Sequence, residues 1–130
     1  SKSYWKYLRG LEGLKMYGNE EPYISMKAWM EGGGCFLLKS IAIGHMYRKA
    51  LPFSDGISYQ IYNKLLIAET LFPADLKQTI YSKIEKLSPD EFKEAKEWLI
   101  KDYRSIKELK LYYKTILSKD INSYITGCGF

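Results

Sequence analysis

The sequence predicts an α+β chain that is predominantly helical, and three observations predict it. From Ile57 onward, apolar residues recur at intervals of three and four through segments rich in lysine and glutamate. Before Ile57 the chain is punctuated by glycine, at Gly10, Gly13, Gly18, Gly32, Gly33, Gly34, Gly44 and Gly56. Within that half, Cys35–Lys39 and Ile41–Tyr47 read as two short β-like runs broken near Ser40, a short β ribbon. The composition shifts at Ile57, which divides the chain into a mixed part, 1–57, and a helical part, 58–130.

Taken in order, Tyr4, Trp5, Tyr7, Leu8, Leu11 and Leu14 can cover one side of a short first helix that Gly10 and Gly13 end. A second helix starts at Asn19, which can cap free amides, with Glu20 and Glu21 in the positive first turn and Pro22 tolerated there. It runs to Glu31 and stops at Gly32. In the second β-like run, alternation places Ile41, Ile43, His45 and Tyr47 on one face. Arg48–Ile57, with Pro52, Asp55 and Gly56, reads as a loop. The helical part begins with an amphipathic segment through Leu71 that Pro73 ends, followed by a second to Leu87. Ser88-Pro89-Asp90-Glu91 then opens a helix with a serine cap. The apolar series Phe92, Ala95, Leu99, Tyr103, Ile106, Leu109, Tyr113 and Ile116 makes one long helix or two nearly collinear ones, since Ser105 and Glu108 offer a second capping box. The tail from Ser118 is expected to be partly loose.

With 130 residues, 46% apolar and 27% charged, the chain is large enough for one core and outside the disordered and fibrous classes. No apolar run reaches the length of a membrane helix, and the opening SKSYWKYLRG lacks the apolar core of a secretory signal. The expected setting is cytoplasmic, or the cytoplasmic face of a membrane. The start without methionine fits an excised piece. Cys35 and Cys128 have no metal or redox spacing and read as reduced thiols, with a disulfide between them left open. The net charge of +5 is spread over helix faces shared with acids, which argues against a nucleic-acid partner. It is compatible with an anionic membrane surface.

Chemistry concentrates in Tyr17–Arg48. His45, the only histidine, reads either as a structural residue or as a metal ligand, and one imidazole does not hold a metal by itself. Glu20 and Glu21 either favour the helix dipole or include a general base or hydroxyl-binding group; adjacent residues point about 100° apart, so one of them at most addresses a given atom. The three glycines follow a helix, the reverse of a phosphate cradle, and read as a turn. Trp5, Trp29 and Trp98 read as core and interface residues.

The run from Gly10-Leu-Glu-Gly through Tyr17-Gly-Asn-Glu-Glu, Trp29, Gly32-Gly-Gly and Gly44-His-Met-Tyr-Arg48 resembles the C-terminal part of GT-A glycosyltransferase catalytic domains of family 2 type. It is most similar to the polypeptide N-acetylgalactosaminyltransferase pattern, in which Trp follows the motif glutamate by nine residues and a Gly-His-Val-Phe-Arg motif comes later. Here Trp29 follows Glu20 by nine. The resemblance covers about residues 10 to 53 and implies the C-terminal portion of a GT-A α/β catalytic domain, followed by a helical extension.

It further implies that His45 ligates a divalent cation, Mn2+ or Mg2+, that bridges the diphosphate of a nucleotide sugar, with Arg48 on the same diphosphate. Tyr17, Glu20 and Trp29 would bind sugar or acceptor. The partners so implied are a UDP-sugar and a glycan or other hydroxyl acceptor. Glu21 stands where inverting family 2 enzymes carry their base and where the retaining polypeptide transferases have asparagine, which favours inversion. A lid tyrosine of those enzymes is Phe53 here, so its hydroxyl contact is lost, and Arg48–Ile57 would be the lid. No Asp-X-Asp is present, so the expectation is a glycosyltransferase fragment that is inactive by itself. The alternative is a stand-alone basic helical module that binds a protein or a membrane surface. Homo-oligomerisation through the C-terminal helices fits either.

Overall fold

The computed structural model describes residues 1–36, 39–42, 44 and 56–127. They form seven helices: α1 (Lys2–Tyr7), α2 (Glu20–Glu31), α3 (Ile57–Leu71), α4 (Ala74–Leu87), α5 (Pro89–Lys101), α6 (Tyr103–Ile116) and α7 (Ile121–Gly127). The predominance of helix is as expected. The β ribbon is not seen: among the described residues there is no strand, residues 35, 36, 41, 42 and 44 of the two β-like runs are irregular, and residues 37, 38, 43 and 45–47 lie outside the described residues. Short apolar runs carry too little periodicity to separate a strand from a coil that follows a glycine stop.

α3 is the central element. Its sequence is apolar on almost every side, and ten of its residues from Ser58 to Leu71 are buried. Ile61, Tyr62, Leu65 and Leu66 pack with Phe92, Ala95 and Leu99 of α5 and Ile106 of α6. Ile67 and Leu71 pack with Tyr23 and Met30 of α2, Leu109 and Tyr113 of α6 and Ile121 of α7. Each such side chain contributes roughly 1.5–3 kcal/mol by leaving water. The second cluster joins residues from both sides of Ile57, so the core runs across the compositional boundary.

Several helix ends differ from expectation. α1 stops at Tyr7, because Arg9 (φ 57°) and Gly10 (φ 40°) turn left-handed, and of its expected apolar side only Leu8 is buried; Trp5 and Tyr7 are exposed. Asn19 (φ 71°) makes no cap bond; its side-chain amide donates instead to the Gln60 carbonyl at 3.2 Å, tying the start of α2 to α3. Ser88 likewise leaves the α5 amides uncapped, although Pro89 sits in the first turn as expected. The α5–α6 series is two helices with the break at Asp102, and Ser105 Oγ donates back to the Asp102 carbonyl at 2.9 Å rather than capping. Asp102 is fixed there by the Tyr62 hydroxyl (2.8 Å) and the Lys15 ammonium (2.8 Å). Of the tail, Ile121–Gly127 is helical and Ser118 to Ile121 is docked, while residues 128–130 lie outside the described residues. The Ser118 and Lys119 amides donate to the Met30 carbonyl at 2.9 and 2.8 Å, satisfying an end of α2 that its own helix leaves open. At that end, Gly32 has φ 114°, a conformation that suits glycine.

Lys27 lies in the middle of the inward face of α2 and is wholly buried. Its ammonium donates to the Leu8 carbonyl (3.0 Å), the Gly10 carbonyl and the Tyr113 hydroxyl (3.2 Å), and stands 3.7 Å from the centre of the Tyr23 ring. Tyr23 and Tyr113 also bond to each other at 3.0 Å. Burial pulls the Lys27 ammonium down to about 7, and the Glu12 carboxylate acts in the opposite direction. The Tyr113 and Tyr23 hydroxyls are pushed up, in each case chiefly by burial.

Replacing Lys27 by Met keeps the volume but orphans three acceptors, and is expected to cost about 2–4 kcal/mol in urea unfolding. The folded state holds the Lys27 proton less tightly than the unfolded chain does. Its stability contribution therefore grows as pH rises from about 7 toward the ordinary lysine range, by up to about 1.4 kcal/mol per pH unit. The raised tyrosines oppose this above about pH 10, where the unfolded chain loses protons that the folded state keeps. Unfolding free energy should thus climb between pH 7 and about 9 and fall beyond about 10, and Lys27→Met should flatten the climb.

Candidate functional site

The acid turn before α2 is assembled by α3. Asn63, fully buried, accepts the Lys15 amide on its carbonyl oxygen at 2.8 Å and donates to the Lys15 and Gly18 carbonyls at 2.9 and 2.8 Å. One side chain thus takes the place of a neighbouring strand for residues 15–18. Gly18 has φ 108°, and a Cβ there would stand 3.2 Å from Gln60 Cγ, so both conformation and space call for glycine. Glu20 closes the turn by accepting the Gly18 amide on both carboxylate oxygens at 3.0 and 2.9 Å.

This gives the two acids different states. Glu20 is half-buried and bound to backbone, with lone pairs left for further donors. Glu21, about 100° round the helix, is exposed. Tyr17 is also exposed, at 53%. Trp29 does not join them: nine residues along α2 place it about 13 Å further down the axis and on the opposite face. There it is half-buried, with the Lys119 ammonium 5.0 Å from the ring centre. His45, Arg48 and Phe53, and with them the expected diphosphate side and most of the lid, lie outside the described residues.

Among the described residues no three histidine, cysteine or acidic side chains come together as a metal-binding group. The described part therefore does not by itself fit a bound Mn2+ or Mg2+. Cys35 is a free, exposed thiol.

Three positioning groups were not anticipated from the sequence. Lys27 is flanked by Tyr23 and Met30 at helical spacing, so a charge within an apolar stripe was the available signal. Asn63 stands likewise inside the apolar run of α3. The third is the Lys15–Asp102 pair, whose Asp102 carboxyl is held below its usual range by Lys15 first and also by the Tyr62 hydroxyl, against the effect of burial. Beside this pair, Tyr59 stacks on Trp98 with ring centres 4.7 Å apart, walling a hollow of about 210 Å³.

Comparison with known proteins supports a glycosyltransferase region, through partial similarities to N-acetylgalactosaminyltransferases. Probable N-acetylgalactosaminyltransferase 7 of Caenorhabditis elegans is 40% identical over 45 residues, 35% of this chain and 8% of that protein. Probable N-acetylgalactosaminyltransferase 8 of the same organism is 30% identical over 60 residues, covering 45% and 14%. Human polypeptide N-acetylgalactosaminyltransferase 10 is 29% identical over 83 residues, covering 63% and 14%. The chain thus spans a small fraction of the length of these curated relatives. No family model matches the chain, and no solved structure matches it.

Asn63→Leu should remove three bonds to the acid turn while leaving the α3 core filled. The expected result is a loss of about 2–3 kcal/mol, together with faster hydrogen exchange at the Lys15 amide than at the amides of α5.

Proposed function

We propose that the chain is the acceptor-side region of a metal-dependent glycosyltransferase that moves a sugar from a UDP-sugar to an acceptor hydroxyl with inversion. The observation that carries this reading is the asymmetry of the two acids: Glu20 is committed to the Gly18 amide, while Glu21 is exposed beside it. Glu21 is then the base, taking the acceptor proton as the acceptor oxygen attacks the anomeric carbon and the nucleoside diphosphate departs. Glu20, fixed in place, and Tyr17 receive sugar or acceptor hydroxyls. Arg48 offsets the charge of the leaving diphosphate. His45 would supply one ligand to the cation, and an Asp-X-Asp on the nucleotide-binding half, outside this chain, would supply the others. The partial similarities to N-acetylgalactosaminyltransferases support the reaction class, and the acid turn supports the assignment of roles within it.

The test places this region in one polypeptide with a nucleotide-binding half that carries Asp-X-Asp, and measures transfer from UDP-sugars. Glu21→Gln should lower kcat by about 10²–10⁴-fold with the donor KM unchanged. Glu20→Gln should mainly raise the acceptor KM, and full activity in Glu21→Gln would remove Glu21 from the role of base. The 130-residue chain alone should show no transfer with Mn2+ present; measurable turnover would contradict the division into halves.

A further inference from the structure

α4, α5 and α6 enclose a groove of about 570 Å³ floored by Leu99 and Ile106. Its rim alternates charge with apolar surface. Ile100, Tyr103 and Leu111 are exposed at 67%, 63% and 54%, and Lys96, Lys107 and Lys114 stand between them. On α6, Tyr103, Lys107, Leu111 and Lys114 follow one another at offsets of four, four and three, which gathers them within an arc of about 80°. Glu69, the acid that lines the groove, is already engaged by Lys77 (3.1 Å), Lys110 (3.9 Å) and the Tyr81 hydroxyl (2.9 Å). Among the described residues no carboxylate pairs with Lys96, Lys107 or Lys114.

A free anion would have no use for three protruding apolar side chains. A wholly apolar ligand would have no use for the lysines. We infer that this face docks on an anionic lipid bilayer, with α6 lying along the surface. Ile100, Tyr103 and Leu111 reach the boundary between headgroups and acyl chains, and the lysine ammoniums meet lipid phosphates. The charge complementarity is one-sided, as a negatively charged leaflet requires. No described helix is long and apolar enough to cross a membrane, so the contact is peripheral. The inference is independent of the reaction proposed above.

Co-sedimentation of the whole chain with vesicles tests it. Vesicles of equal parts phosphatidylcholine and phosphatidylglycerol should pellet the protein, and vesicles of phosphatidylcholine alone should leave it in solution. Raised salt should release it. The double variant Lys107→Gln/Lys114→Gln should partition about thirtyfold more weakly, and Leu111→Asp should also weaken binding, each with an unchanged thermal melt because these side chains are exposed. Equal binding to both vesicle types, or binding that the variants do not alter, would overturn the inference. So would absence of vesicle binding alongside a stoichiometric complex with an acidic amphipathic peptide, which would make the occupant a protein.

Discussion

The docking of α2 and the segment before it depends on one buried lysine. Lys27 reaches from α2 to the carbonyls of Leu8 and Gly10 and to the hydroxyl of Tyr113, joining the segment after α1 to the apolar contact between α2 and α6. The segment between α1 and α2 is rich in glycine, and its apolar anchors are Leu8, buried, and Leu14, partly buried against both clusters. Bonds to its backbone carbonyls add to that limited area. A lysine suits this task because its ammonium offers three donors and no acceptor, while the Tyr23 ring supplies a face that favours positive charge. The arrangement costs desolvation, visible in the lowered proton affinity of the amine, and yields a specific path for an otherwise irregular segment.

α3 plays the complementary part on the other side of that segment. Asn63 reads the backbone of Lys15 and Gly18, Gln60 offers its carbonyl to Asn19, and Tyr62 shares Asp102 with Lys15. The acid turn is thus an extension of the rigid core helix. That gives Glu20 and Glu21 a defined separation and direction although they follow a loop.

Legibility followed the range of the interaction. Pro73, Pro89 and Gly32 act on their own backbone, so the helix ends near them could be read directly. Asn19, Ser88 and Ser105 had local partners available, but Asn19 found a distant one in Gln60 and Ser105 turned back to Asp102. Cap rules describe a helix by itself, and here packing decided otherwise. Of the site, the position of the paired acids at the start of α2 was legible from Asn19-Glu20-Glu21-Pro22. Their inequality was not, because it rests on a Gly18 amide whose orientation is set by Asn63, far along the sequence. Helical rotation, which the spacing of nine leaves out, sets Trp29 on the face of α2 opposite Glu20.

The backbone hydrogen bonds by which Ser118 and Lys119 close the end of α2 both reach the Met30 carbonyl and join residues 88 and 89 positions apart. α3 to α6 instead pack on one another within a single stretch of chain, α3 chiefly against α5 and α6, with short connections at Phe72–Pro73, Ser88 and Asp102. The entropy of closing a loop falls far more heavily on the first set of contacts than on the second. The helical bundle can therefore assemble early and by itself, with α2 and its acid turn docking afterward. Reversed in time, the same asymmetry makes the acid turn and α2 the unit that opens at the lowest free energy, leaving the rest of the molecule folded beneath it.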